Sequence, residues 1–275
     1  DAGLKSTEEW PCKTDVPTNA WVVIDGVDYY PALFELDGVL YTQALKLPVL
    51  ETGQYCITAF VLYKEVDGIL ADFGVSSHQF DVAERGFSTR FEANLDMRMN
   101  QQNELSAYHV VNEYDEEQLK QVLWQYGELR QAPAMAKVIV EHREIQPIKT
   151  SEQLKSVLKR FLQHRKENKV LAQIYQAIRI EVNQEIEALK EFLTQTPGIL
   201  KPSGRLSVIS YHSLEDRLVK RFIRNGLFEG EPERDMFGNF EVPLKKVGGL
   251  IVPSQQEIKQ NNRARSAKLR IAEKL

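Results

Sequence analysis

The chain has 275 residues, 43% apolar and 27% charged, an ordinary balance for a soluble protein and enough length for one large domain or two. No apolar run approaches the roughly 18 residues of a spanning helix, and no signal-peptide pattern is read, so no membrane partner is expected. A net charge of −4 excludes a generally basic coat, which leaves any nucleic-acid contact to a local patch.

Residues 1–65 read as β-structure. Trp21–Ile24 meets an Asp25-Gly26 turn, Leu33–Leu36 meets Asp37-Gly38, Val39–Leu47 alternates, and Gln54–Tyr63 is rich in β-branched and aromatic residues. No helix-period segment there is long enough for a βαβ crossover, so a meander of hairpins is predicted. Both cysteines, Cys12 and Cys56, fall in this segment; a disulfide in an exported domain and two reduced thiols both fit them. The rest of the chain has none, which suits a cytoplasmic protein.

An apolar run (Val66, Ile69, Leu70, Ala71) then leads to Asp72, and Gly74–Ser77 turns the chain. This is the layout of a buried parallel strand delivering a carboxylate to the rim where α/β sheets bind ligands, although a turn-forming Asp is the plainer reading of the pattern alone. A helical region follows the polar stretch Asn100–Glu104. Asp115 with Gln118 looks like a capping box opening a helix through Leu123 and Tyr126. Thr150 with Gln153 opens another, with Leu154, Val157, Leu158, Phe161 and Leu162 on one face. A third carries Leu171, Ile174, Ile178, Val182, Ile186, Leu189 and Leu193, a continuous apolar stripe over about six turns that fits a core-facing helix better than a coiled coil.

Beyond it Pro197–Gly204 reads as a loop and Arg205–Tyr211 as a strand, with Ser213 and Asp216 able to cap the next helix. Met236–Val252, with turns at Gly238-Asn239 and Gly248-Gly249, reads as a hairpin, and Ser254 with Glu257 as a further capping box. Ala267, Leu269 and Ile271 alternate with Lys268 and Arg270 in a closing half-buried strand, whose charges are expected to point outward together.

The chemistry-bearing residues are few. His212, Ser213, Glu215 and Asp216 are too close in sequence to converge as a hydrolase triad, and a strand end with a helix cap is the plainer reading. The five histidines are scattered and no HxxxH or CxxC occurs, so no metal is expected. Arg263, Arg265, Lys268 and Arg270 form the clearest basic cluster. The run Lys155–Lys169 reads as a charged helix face.

Three segments also carry a likeness: Asp72–Met99 with its strings DFGVSSHQ, RGFS and LDMRM, Val208–Phe222 with VISYHSLEDRLVKRF, and Asn261–Leu275 with NNRARSAKLRIAEKL. Together they resemble the MraW family of bacterial ribosomal RNA methyltransferases, which N4-methylate a cytosine of the small-subunit (16S) RNA. The likeness covers residues 66–275; residues 1–65 do not share it. It implies an α/β fold, a Rossmann-like S-adenosylmethionine-dependent methyltransferase sheet with an inserted helical domain. The β-rich segment 1–65 replaces the usual cofactor-loop half, the sheet domain takes 66–104 and 196–275, and the helical insertion takes 105–195. Its implied cofactor is S-adenosyl-L-methionine, contacted by Asp72 and Gln79. Its implied partner is 16S ribosomal RNA in the small subunit, contacted by Arg263, Arg265 and Lys268, in the cytoplasm. The resemblance makes His212 or Glu215 candidates for the active-site wall and defines no catalytic residue.

Two departures matter. The family's Gly-rich cofactor loop, D-x-T-x-G-x-G-G-H-S, is absent, since Gly3, Gly26, Gly38 and Gly53 are isolated. The D-P-P-Y type motif of many amino-methyltransferases is replaced by Asp72-Phe73-Gly74-Val75, and His78 stands where the family often has Pro. Because the sulfonium donor is already activated, methyl transfer needs mostly proximity and orientation. The cytosine amine is a weak nucleophile, so an acceptor near its protons helps, and Asp72 stands where a carboxylate could do that or bind the cofactor. The rival readings are a chimeric or degenerate methyltransferase that binds RNA or a partner without catalysis, and a working β-sandwich fragment in residues 1–65, which is too short to complete one.

Overall fold

The computed structural model describes residues 66–75, 79, 81–162 and 167–275 with their side chains, and within 1–65 the backbone of five strands only. Those are β1 (Asn19–Ile24), β2 (Val27–Tyr29), β3 (Leu33–Leu36), β4 (Val39–Thr42) and β5 (Ile57–Tyr63). β1 pairs antiparallel with β2, and β3 with β4, as the flanking turn signals predict. β5 departs from the expected meander. It passes the β3–β4 pair and returns antiparallel to β1, giving the order β2-β1-β5. Hairpin pairing is local and legible, whereas the second edge of β1 takes its partner from more than 30 residues away. Cys12 and Cys56 lie outside the described residues.

A separate four-stranded sheet is built from β6 (Val66–Asp72), β7 (Leu200–Ser210), β8 (Leu244–Ile251) and β9 (Lys268–Lys274), in the order β6-β7-β9-β8. β6 and β7 run parallel with Asp72 opposite Ile209, so both strands end at the same rim. β9 is antiparallel to β7 and to β8. The expectation of a buried β6 is corrected. It is an edge strand whose Leu70 is 72% exposed, because only β7 pairs with it among the described residues.

Eight α-helices are described: α1 (Ala107–Glu113), α2 (Glu116–Gln125), α3 (Ala132–Arg143), α4 (Ser151–Val157), α5 (Glu167–Asn183), α6 (Glu185–Ile199), α7 (Ser213–Asn225) and α8 (Gln255–Gln260). The boxes that open α2 and α4 form as expected. The Gln118 N–H donates to Asp115 Oδ1 at 2.8 Å and the Asp115 N–H returns to Gln118 Oε1 at 2.9 Å; Thr150 and Gln153 do the same at 3.3 and 3.1 Å. α3 leaves little trace in the sequence, its alanines blurring the apolar period.

The long stripe is two helices. Gln184 takes a left-handed conformation at φ 51°, which ends α5 and re-aims α6. The stripe is shared accordingly. Ile174, Ile178 and Val182 join the helical core with Val110, Leu119, Leu123, Met135, Ile139 and Leu154, while Leu189 and Leu193 join the sheet core with Leu206, Val208, Val219 and Phe222. Each such side chain contributes roughly 1.5–3 kcal/mol on burial.

Three local readings are corrected. Pro197–Gly204 is no loop. Pro197 sits inside α6, where the Leu193 carbonyl it cannot serve accepts instead from the Thr196 hydroxyl at 2.8 Å. Pro202 and Gly204 fall in a β7 bulge, where the register jumps from Val66–Leu200 to Gly68–Arg205. Met236–Val252 is no hairpin either. Only Leu244–Ile251 is strand, the Asp235–Asn239 turn stands apart, and Gly248 at φ 67° bulges within β8. The third concerns α7, capped by His212 rather than by Ser213 with Asp216: the Glu215 N–H donates to His212 Nδ1 while Asp216 is drawn away to Arg270.

Candidate active site

The common rim of β6 and β7 opens into a cavity of about 720 Å³. Asp72, Gly74, Tyr211 and His212 come from the strand ends, Tyr175, Gln176 and Arg179 from α5, residues 87–91 and Met97 from the loops between β6 and α1, and Arg263 from the C-terminal turn. Both cores therefore contribute a wall. This is the place where parallel sheets present ligand-binding groups.

β6 leaves the sheet in a fixed way: the Phe73 N–H donates to the Ile209 carbonyl at 3.0 Å, and Gly74 then turns at φ 95°. Asp72 is exposed and acts on the Tyr211 phenol beside it. Partial burial, then the hydrogen bond and charge of Asp72 and the charge of Glu215, push the Tyr211 hydroxyl above its ordinary value. The phenol thus keeps its proton across the neutral range.

Glu215 is 3% exposed beneath this pair, and its Oε2 accepts the Tyr211 N–H at 2.9 Å. Burial pushes its carboxyl up, but the His212 ring, the Tyr211 N–H and the charge of Arg179 outweigh that and leave it below the ordinary value. Because His212 Nδ1 accepts a backbone N–H, the hydrogen-bond network assigns the ring proton to Nε2, which lies 3.1 Å from Glu215 Oε1 without a well-formed hydrogen bond. Glu185, His212 and Glu215 bring ligand atoms within 4.8 Å of one another. A cation already serves them: Arg179 grips Glu185 in a two-pronged pair at 2.8 and 3.0 Å, and a protonated Nε2 has no lone pair to give a metal.

The opposite wall is made by the RGFS and LDMRM strings wrapped on each other. Gly86 adopts φ 73°, where a Cβ would meet the Asn94 carbonyl at 2.6 Å. Met97 is fully buried at φ 57° and its carbonyl accepts from Asn183 Nδ2 at 2.8 Å, while the Met99 N–H donates to Asn183 Oδ1 at 2.6 Å. Arg85 Nη2 donates to the Arg98 and Met99 carbonyls at 2.7 and 3.0 Å. Asn183 thus ties this wall to the last turn of α5.

The residues singled out in the sequence are only partly brought together. Asp72 and Arg263 line the cavity, whereas Gln79 is half-buried and does not. Arg263 is paired with Asp81, and Arg265 is exposed with no ion-pair partner among the described residues. Lys268 and Arg270 do not point outward: both turn onto Asp216 of α7, at 3.4 and 2.7 Å, because their face of β9 is half-covered and an unpaired charge there would be costly. Of the basic run, Lys155 pairs with Glu167 at 3.2 Å, and 163–166 lie outside the described residues. Sequence reasoning missed Tyr211, Phe91, Arg179 and Asn183. Tyr211 alone left a signal, by following a strand end directly.

Comparison with known proteins places this geometry. Relatives named ribosomal RNA small subunit methyltransferase H include one from Christiangramia forsetii, 72% identical over 212 residues, 77% of this chain and 70% of the relative. One from Flavobacterium johnsoniae is 70% identical with the same shares, and one from Cytophaga hutchinsonii is 50% identical over 210 residues, 76% of this chain and 70% of its own. The sequence matches the model of the MraW methylase family over residues 46–275, which corrects the boundary expected at Val66: residues 46–65 also fall within the family match. With most of its length inside that match, and with the family's strings forming both walls of the rim cavity, the chain belongs to the MraW methylase family, a family of methyltransferases.

Proposed function

We propose that this chain transfers a methyl group from S-adenosyl-L-methionine to N4 of a cytosine in the 16S RNA of the small ribosomal subunit. The observation that carries the reading is the rim cavity, where Asp72 and Tyr211 face a wall built from the family's own RGFS and LDMRM strings. In this reading Asp72 contacts the cofactor, which supplies an activated methyl group, and Gln79 lies off the cavity lining. The cavity walls orient the base, splayed from its stack, and shed water. Arg263, Arg265 and Lys268 are the RNA contacts, with Arg263 and Lys268 exchanging Asp81 and Asp216 for phosphate. Residues 66–104 with 196–275 act as the sheet domain and 105–195 as the helical insertion. An RNA substrate of this kind puts the protein in the cytoplasm. Among the described residues no helix is long and apolar enough to cross a membrane.

The fit to the cofactor is one-sided. A Cβ on Gly74 would already touch Tyr211 and Glu215, at 3.8 and 4.0 Å, so the bare backbone there leaves the surface beside them uncovered, and Asp72 supplies a carboxylate. The Gly-rich loop is missing from the sequence, and β6 is a sheet edge, so among the described residues no strand flanks its outer side to close the crevice there. That observation favours a second reading, a degenerate methyltransferase that binds RNA without catalysis. Calorimetric titration with S-adenosylmethionine, paired with transfer of labelled methyl to unmethylated small subunits, separates the two. The missing loop predicts donor binding weaker than an intact loop would give, because close backbone approach at its glycines is lost. Low-micromolar binding with transfer would establish the enzyme and show that the N-terminal strands rebuild the site; binding of RNA without transfer would establish the degenerate form.

A further inference from the structure

Three arginines line the cavity, and two are already engaged: Arg179 with Glu185, and Arg263 with Asp81. The third, Arg90, is exposed and has no side-chain hydrogen bond or ion pair among the described residues. Beside it Phe91 stands 47% exposed on the same cavity, an aromatic ring left partly in water.

The backbone beneath Phe91 is not loose. Its carbonyl accepts from the Ser151 hydroxyl at 3.2 Å, and that oxygen accepts the buried Ala93 N–H at 3.0 Å. The Ser151 N–H returns to the Ala93 carbonyl at 2.9 Å, the Leu95 N–H reaches the Lys149 carbonyl at 3.0 Å, and Asn94 bridges to Thr150. On the other side the Arg90 N–H donates to Ser88 Oγ at 3.2 Å. An exposed ring on a backbone stitched to the start of α4 presents a fixed platform at low entropic cost to whatever covers it.

We infer that Phe91 and Arg90 form a nucleotide-holding subsite, in which the Phe91 ring stacks one unpaired RNA base and the Arg90 guanidinium takes an adjacent phosphate. An aromatic platform beside a free cation is the pairing that single-stranded nucleic acid recognises, since every base has a π-face and every linkage a charge. The subsite rests on the RNA reading above and assigns residues that the family strings RGFS and LDMRM flank without containing.

The test uses the full chain and a labelled single-stranded oligocytidylate, followed by fluorescence anisotropy across a salt series. Phe91→Ala should weaken binding roughly 5- to 150-fold at each salt, the range of one base stack removed, with no change of slope. Phe91→Trp should restore affinity, with its emission quenched on binding. Arg90→Ala should flatten the log–log salt slope by about 0.7, one phosphate of a single strand. Wild type that binds the oligonucleotide no better than Phe91→Ala, with no quenching in Phe91→Trp, overturns the subsite alone. Wild type that binds no RNA overturns the substrate reading along with it.

Discussion

Asn183→Ala is the most direct probe of how the site wall is held. The side chain donates to the Met97 and Arg179 carbonyls, both at 2.8 Å, and accepts the Met99 N–H at 2.6 Å. Two of those three bonds cross to a loop more than 80 residues away, so helix propensity cannot replace them. Each net hydrogen bond contributes about 1 kcal/mol, and a half-buried group left unpaired adds to that, so the loss should be about 2–3 kcal/mol. The clamp also holds Met97 in its left-handed conformation, which costs roughly 1–2 kcal/mol and relaxes once released. The assay is urea denaturation together with hydrogen exchange of the peptide around residues 93–103. A lower midpoint with faster exchange confined to that peptide is expected. Asn183→Asp, which can still accept from Met99 but cannot donate to Met97, should fall between. An unchanged midpoint, or faster exchange spread evenly over the chain, would refute the clamp.

Gly86→Ala should destabilise by about 2 kcal/mol or more, read by thermal denaturation, since the new Cβ meets the Asn94 backbone and φ is positive. Burial pushes the Asp216 carboxyl up, but the hydrogen bonds and charges of Arg270 and Lys268 outweigh it and hold the group below its ordinary 3.8. A depressed carboxylate stabilises fully above its unfolded value and loses that as pH falls through the folded one. Asp216→Asn should therefore flatten the acid side of the Tm–pH curve below about pH 4, and an unchanged acid limb would count against the pair. Arg263→Ala with Arg265→Ala should weaken binding of a small-subunit RNA fragment and lower its salt slope in filter assays by about 0.7–0.9 for each phosphate the protein no longer neutralises. Thermal stability should hardly move, because the Arg263–Asp81 pair is half-exposed and well screened by water.

The sequence by itself determined the elements whose signals are local. The Asp115–Gln118 and Thr150–Gln153 boxes, the hairpin strands before Tyr63, the alternating final strand and the strand ending at Asp72 all depend on residues within a few positions of one another. The family strings were legible for the same reason, being contiguous. Periodicity, however, reports that a face is buried without saying against what. The stripe from Leu171 to Leu193 is one pattern in sequence, yet the single residue Gln184 divides it between two cores. Charge carries the same ambiguity. Arg90, Arg263 and Lys268 look alike in sequence, and only the fold brings Asp81 to Arg263 across 182 positions, sets Asp216 under Lys268, and leaves Arg90 unpaired among the described residues. Composition offers every one of these cations a carboxylate; the topology decides which ones meet it, because electrostatic and hydrogen-bonded partners are chosen by distance in space and not along the chain.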